Sequence, residues 1–155
     1  MNITKNIKYI GVDDTDIDLF ESQYAVPEGV SYNSYLILDD EVAIMDSVDR
    51  RKCDEWLCHL TDALAGRTPH YLVVQHMEPD HGGSIAAAME RWPEMRIVTS
   101  VKAVTMLKMV TSMRCPLFPP MHLPVPKTVT TCISVHVVTN PEIPLQLPVT
   151  PALLR

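Results

Sequence analysis

Apolar and polar residues along positions 1–110 follow short strand-like and helix-like rhythms. Tyr9-Ile10-Gly11-Val12 and Ile17-Asp18-Leu19-Phe20 predict two short strands around an acidic turn at Asp13-Asp14. Ser31-Tyr32-Asn33-Ser34-Tyr35-Leu36-Ile37-Leu38 predicts a longer strand stopped by Asp39-Asp40. Glu41-Val42-Ala43-Ile44-Met45-Asp46 follows at once, so a hairpin of half-buried strands across Asp39-Asp40 is expected. Asp49 stands where it caps a helix from about Arg50 to Ala65, with Trp56, Leu57, Leu60 and Leu64 at helical spacing and Gly66 ending it. Tyr71-Leu72-Val73-Val74, running on to Gln75, reads as a buried strand. A helix from about Ser84 to Trp92 comes next, then a strand at Arg96-Ile97-Val98-Thr99. Ser100 caps a last helix through Ala103, Met106, Leu107 and Val110. Antiparallel strands followed by helix, strand, helix, strand, helix predict an α/β fold, a mixed sheet with helices packed outside it.

That rhythm stops near residue 110. Positions 1–110 hold all 5 glycines, 18 of the 19 acidic residues and 4 of the 13 prolines. Positions 111–155 hold 9 prolines, no glycine and a single acid, Glu142. The expected organisation is a patterned unit over 1–110 and a proline-rich irregular tail over 111–155. Within the tail, Thr128 to Val138 has the β-branched density of a strand, with prolines breaking the chain on either side. A reading-frame shift or a truncated gene would account for the change.

A chain of 155 residues suffices for one domain with a core of its own. Its 46% hydrophobic and 21% charged residues are ordinary for a globular protein, and no apolar run approaches the length of a membrane span. Met1-Asn2-Ile3-Thr4-Lys5 is polar and lacks a secretion signal, so a cytoplasmic location is expected. The net charge of −6, without a basic stripe, argues against a nucleic-acid partner. Cys53, Cys58, Cys115 and Cys132 form no Cys-x-x-Cys pair and are expected to be free thiols without assigned chemistry. Met106-Leu107-Lys108-Met109 reads as core packing.

The chemistry concentrates in His76-Met77-Glu78-Pro79-Asp80-His81-Gly82-Gly83, directly after the Tyr71–Gln75 strand. Two imidazoles and two carboxylates within six positions suit a pair of divalent metals, each taking one nitrogen and one oxygen ligand. Pro79 argues against a helix here. It pushes Glu78 toward an extended conformation. In an extended stretch His76, Glu78 and Asp80 share one face. His81 then swings round through a turn made possible by Gly82 and Gly83.

The pattern His76-x-Glu78-x-Asp80-His81 resembles the metal signature of flavodiiron proteins, a branch of the metallo-β-lactamase superfamily whose hydrolases carry a histidine where Glu78 stands. Gly29-Val30-Ser31-Tyr32-Asn33-Ser34-Tyr35-Leu36-Ile37 is similar to an early strand of the family. Ala43-Ile44-Met45-Asp46-Ser47-Val48 is similar to the strand whose aspartate buttresses the metal loop. The resemblance covers about residues 7–110. It implies the N-terminal half of a metallo-β-lactamase-like αββα sandwich, followed in the intact family by a flavodoxin-like domain that binds FMN. It also implies reduction of dioxygen to water or of nitric oxide to nitrous oxide at two irons, with electrons from rubredoxin or a similar donor, in a protein that is a homo-oligomer. By position, His76 and Glu78 would hold one iron and Asp80 and His81 the other, with Asp46 orienting a ligand imidazole. A carboxylate at Glu78 makes the site harder and more anionic, which suits iron.

The resemblance is incomplete. The family's later histidine, bridging aspartate and last histidine have no matching segment, nor has the FMN domain. Pro120-Met121-His122 shares part of a family stretch but lacks its tryptophan and lies too close to the first motif. Neither His122 nor His136 is assigned as a ligand, and His59 and His70 read as surface or packing residues. The expectation is a flavodiiron fragment, inactive by itself. The alternatives are a zinc-dependent hydrolase of the same superfamily, with Asp80 orienting the attacking water, and a non-catalytic fragment that is inert or binds a partner.

Overall fold

The computed structural model describes residues 1–110 together with Leu117–Phe118. Cys115, His122, His136, Cys132 and the strand expected over 128–138 lie outside the described residues.

Six strands build the main sheet in the order β1-β6-β7-β8-β9-β10. These are β1 (Ile7–Tyr9), β6 (Tyr35–Leu38), β7 (Val42–Met45), β8 (Tyr71–Val74), β9 (Arg96–Thr99) and β10 (Leu117–Phe118). The pairs β1/β6 and β6/β7 are antiparallel, whereas β7/β8, β8/β9 and β9/β10 are parallel. The β6/β7 hairpin turns across Asp39-Asp40 as expected, with Leu38 opposite Val42 and Tyr35 opposite Met45. Every residue of β7 and β8 is buried. That is deeper than half-buried hairpin strands would be, because both lie inside the sheet with a neighbour on either side. Leu117–Phe118 carries the sheet past Val110, into a stretch that composition alone marks as irregular.

Two expectations for the N-terminal strands give way. Asp13-Asp14 is not a turn but part of β2 (Val12–Asp14). The predicted run 31–38 is broken at Asn33-Ser34 into β5 (Val30–Tyr32) and β6. β2 pairs antiparallel with β5 in a sheet of its own, with Asp14 opposite Val30. A small hairpin joins β3 (Leu19–Phe20) to β4 (Tyr24–Ala25). The break follows from a buried polar residue: Ser34 is 0% exposed, and its backbone carbonyl and hydroxyl both bond outside the main ladder.

The parallel strands need crossovers, which the helices supply. Asp49 accepts from the backbone N–H of Arg51 at 2.9 Å and opens a turn at Arg50–Lys52 that runs into α1 (Cys53–Leu64). The chain leaves α1 through Ala65 in the left-handed conformation and Gly66 at φ +86°. A one-turn helix, α2 (Pro79–Gly82), and α3 (Ile85–Arg91) link β8 to β9. Then α4 (Val101–Val110) follows β9, with Ser100 Oγ accepting from the backbone N–H of Ala103 at 3.2 Å.

Trp56, Leu60 and Leu64 of α1, Ile85, Ala88 and Met89 of α3 and Leu107 of α4 share one core with Leu36, Ile44, Leu72, Val74 and Ile97 of the sheet. The alternate strand residues Ile37, Ala43, Met45, Tyr71, Val73 and Val98 form a second cluster, as the two-residue period requires. No helix among the described residues is long and apolar enough to cross a membrane.

Candidate metal centre

Strands β7 and β8 lie side by side and end at the same edge of the sheet. Asp46 follows β7 directly, and Gln75 and His76 follow β8. Beyond the carboxyl ends of parallel strands the loops are free to converge, which is where open α/β sheets place their ligands.

Asp46 is held hard. It sits at φ +57°, in the left-handed region, which aspartate tolerates better than most residues. It is 3% exposed, so it is not a solvated residue ending a strand. Its N–H donates to the Val73 carbonyl at 2.8 Å, and its carbonyl accepts from Ser34 Oγ at 2.8 Å. Ser34 Oγ in turn accepts from the Trp56 indole at 3.0 Å, which ties the residue to α1. The carboxylate accepts twice from Gln75, through Oδ1 from the backbone N–H and through Oδ2 from Nε2, both at 2.8 Å.

The loop that follows is not fully extended. Glu78 takes φ −67° and ψ 151°, the conformation demanded of a residue before proline. Pro79, however, starts a helix instead of preventing one. It occupies the first helical position, where its missing N–H would have no partner in any case. The N–H groups of His81 and Gly82 both donate to the Glu78 carbonyl, at 3.0 and 2.8 Å. Asp80 and His81 are therefore placed by a helical turn, and the expected extended face of His76, Glu78 and Asp80 is not formed.

The glycines also act otherwise than expected. Neither Gly82 nor Gly83 has a positive φ. A Cβ on Gly83 would lie 2.6 Å from the Pro79 carbonyl and 2.8 Å from the Arg50 nitrogen, so absence of a side chain is what lets α2 pack here. Ser47 completes the junction: its N–H and Oγ donate to the His81 carbonyl at 2.9 and 2.6 Å.

The four predicted ligands come together at this edge, mostly as pairs. His76 Nδ1 is 3.2 Å from Glu78 Oε2, and His81 Nε2 is 3.4 Å from Asp80 Oδ2. The two imidazole rings, one from each pair, stand with centroids 3.8 Å apart. His81 Nδ1 faces Asp46 Oδ2 at 3.1 Å, out of line for a full hydrogen bond. This contact raises the His81 pKa against the opposing effect of burial, with help from Asp80 and Glu78. His76 and Glu78 are exposed, whereas Asp80 and His81 are largely covered.

Among the described residues, no three His, Cys, Asp or Glu side chains stand in a ready-made metal cage. The donor set nevertheless fits a metal. Asp80 Oδ1 is buried with no hydrogen-bond partner, a costly state for a carboxylate oxygen unless a cation or another donor meets it. Asp46 behind His81 is the acidic partner that metal-binding imidazoles usually have. His59 is exposed with Nδ1 3.1 Å from the Gly11 carbonyl, and His70 Nδ1 accepts from the Val42 N–H at 3.0 Å; neither faces the loop. Cys53 and Cys58 are free thiols, half-buried and exposed. Sequence reasoning missed Gln75, Ser47 and Ser34, whose polar side chains carry no metal signature. The one available signal was a polar residue directly after an unbroken apolar strand.

A mixed sheet with helices on one face and an acidic, histidine-bearing loop beyond its parallel strands is a metallo-β-lactamase-like fold. No family-level sequence profile matches the chain. It is 30% identical over 105 residues to the anaerobic nitric oxide reductase flavorubredoxin of Vibrio vulnificus, covering 67% of this chain and 21% of that protein. It is 34% identical over 107 residues to the nitric oxide reductase of Moorella thermoacetica, covering 68% of this chain and 27% of the relative. The structure of rubredoxin oxygen:oxidoreductase from Desulfovibrio gigas superposes with a TM-score of 0.71 at 27% identity, over 77% of this chain and 30% of that one. Over its N-terminal part, the chain belongs to the flavodiiron family. It spans between about a fifth and three tenths of the length of these relatives.

Proposed function

We propose that the His76–His81 loop, backed by Asp46, is the first half of the dinuclear iron site of a flavodiiron oxidoreductase. In the intact protein that site would reduce nitric oxide to nitrous oxide or dioxygen to water, fed by FMN and a rubredoxin-type donor. The reading rests on one observation. Two imidazoles in contact, each paired to its own carboxylate, stand at the carboxyl edge of β7 and β8, with a buried carboxylate oxygen unsatisfied.

His76 with Glu78 would hold one iron and Asp80 with His81 the other. When bound, the irons supply the electron storage that a diatomic substrate needs. The protein's residues hold the donors in place, and Asp46 fixes the ring of His81. The relatives, named as nitric oxide reductases and a rubredoxin oxygen:oxidoreductase, support this reading over a zinc hydrolase. A Co(II) titration followed by visible absorption tests it: wild-type chain gives a saturable ligand-field spectrum, and Asp80→Asn weakens binding about tenfold or more. Equal binding by the two would remove the loop from the site.

A further inference from the structure

Gln75 is the residue beside the motif that the proposed site does not yet use. It is the first residue past β8, and it meets Asp46 at two points. Its backbone N–H holds Oδ1 and its Nε2 holds Oδ2, each at 2.8 Å. A carboxylate only accepts, so the amide must present its nitrogen here and not its oxygen. The carboxylate plane turns about the Cβ–Cγ bond, and a contact at one oxygen restrains that turn less than a contact at each. Two fix the plane, and the fixed oxygen is the one that faces His81 Nδ1 at 3.1 Å.

We propose that the Gln75 side chain is a positioning residue: it holds Asp46 Oδ2 3.1 Å from His81 Nδ1, so that a small turn of the ring lets Nδ1–H donate to that oxygen and leaves Nε2, 3.4 Å from Asp80 Oδ2, for the metal. This rests on the metal reading above for its purpose, but not for its geometry. An amide suits the task because it donates without bringing a charge. A lysine or arginine there would neutralise Asp46 and weaken its hold on the imidazole. Asp46 is otherwise fixed by its main chain, through Val73 and Ser34. The side chain of Gln75 is thus the part of the arrangement that aims Oδ2.

Gln75 is exposed, so replacing it leaves the core intact. Gln75→Ala keeps the backbone contact to Oδ1 and removes only the contact to Oδ2. Gln75→Glu keeps the length but puts an acceptor against an acceptor. Two measurements on the full chain test the inference. The first is Co(II) affinity, expected to fall about tenfold in both variants. The second is the pair of imidazole ¹⁵N shifts of His81 in metal-free protein, at a pH where the ring is neutral. In wild type they should report a protonated Nδ1, and in both variants a shift toward the Nε2-protonated form. Variants that match wild type in affinity and in ring tautomer overturn the proposal. A wild-type chain that binds no Co(II) sinks the metal reading instead, and the nitrogen shifts then judge Gln75 by themselves.

Discussion

At the scale of single residues, buried polar groups do the most to shape this molecule, and they are the hardest to read from sequence. Asp46 is legible as a candidate because it ends an apolar strand in a segment that resembles one of the family's; its left-handed backbone and its two bonds to Gln75 are not, since no local pattern encodes them. Tyr32 and Asp14 make the same point away from the His76–His81 loop. Asp14 is 1% exposed, with Tyr32 Oη donating to it at 3.0 Å and the Arg51 guanidinium 3.4 Å away. Burial first, and then the Asp14 carboxylate, push the Tyr32 phenol up to about 12. An unfolded tyrosine titrates near 10, so between those values the unfolded chain has released a proton that the folded one keeps. The stability tied to this proton is therefore complete below pH 10 and is lost as pH climbs through about 12. The amount is on the order of 2 kcal/mol. Urea unfolding at rising alkaline pH should show that loss in wild type and a shallower one in Tyr32→Phe. Parallel curves would mean the phenol titrates as it does in water.

At the scale of elements, the apolar rhythm placed β6, β7, β8, β9 and three of the helices, because burial on a sheet face or a helix stripe leaves a periodic trace. It failed where a local rule was applied too strongly. Pro79 reads locally as a helix breaker, yet at the first position of α2 it is a helix starter. Residues 31–38 read as one strand because Asn33-Ser34 interrupts the apolar pattern only briefly. The break depends on Ser34 bonding to Asp46 and Trp56, partners 12 and 22 positions away. The glycine pair separates two explanations that sequence alone runs together. If flexibility were the requirement, Gly82→Ala and Gly83→Ala would cost about the same. Instead, a methyl on Gly82 meets Met77 at ordinary contact distance, 3.5 Å or more. On Gly83 it would strike the backbone of both α2 and the Arg50 turn. Gly83→Ala should destabilise the chain by roughly 1–3 kcal/mol, as overpacking does. Gly82→Ala should be close to neutral. Thermal unfolding of the two variants side by side decides, and equal melting temperatures would refute the packing explanation.

For the whole molecule, the question is how much of a dinuclear centre one sheet edge builds. The loop supplies two donors to each proposed iron, and Asp46 lies behind His81 instead of adding a third. Protein sites that hold a transition metal tightly give it at least three side-chain ligands, and two irons close together also need an anionic bridge to offset their repulsion. Among the described residues, no group of three or more His, Cys, Asp or Glu side chains stands where it could hold a metal ion. The segment shared with this chain is 21% and 27% of the length of the two curated relatives, which leaves room in them for the later ligands that the family resemblance implies. Each missing ligand lowers affinity steeply, a tenfold loss for every 1.4 kcal/mol. After anaerobic loading with ferrous iron and gel filtration, the chain should therefore retain well under two irons. With a reduced flavin or rubredoxin as donor, it should consume neither oxygen nor nitric oxide above the rate of the donor alone. Two irons that survive gel filtration would show that this edge of the sheet closes a dinuclear site with ligands not recognised here, and the half-site account of the molecule would have to be given up.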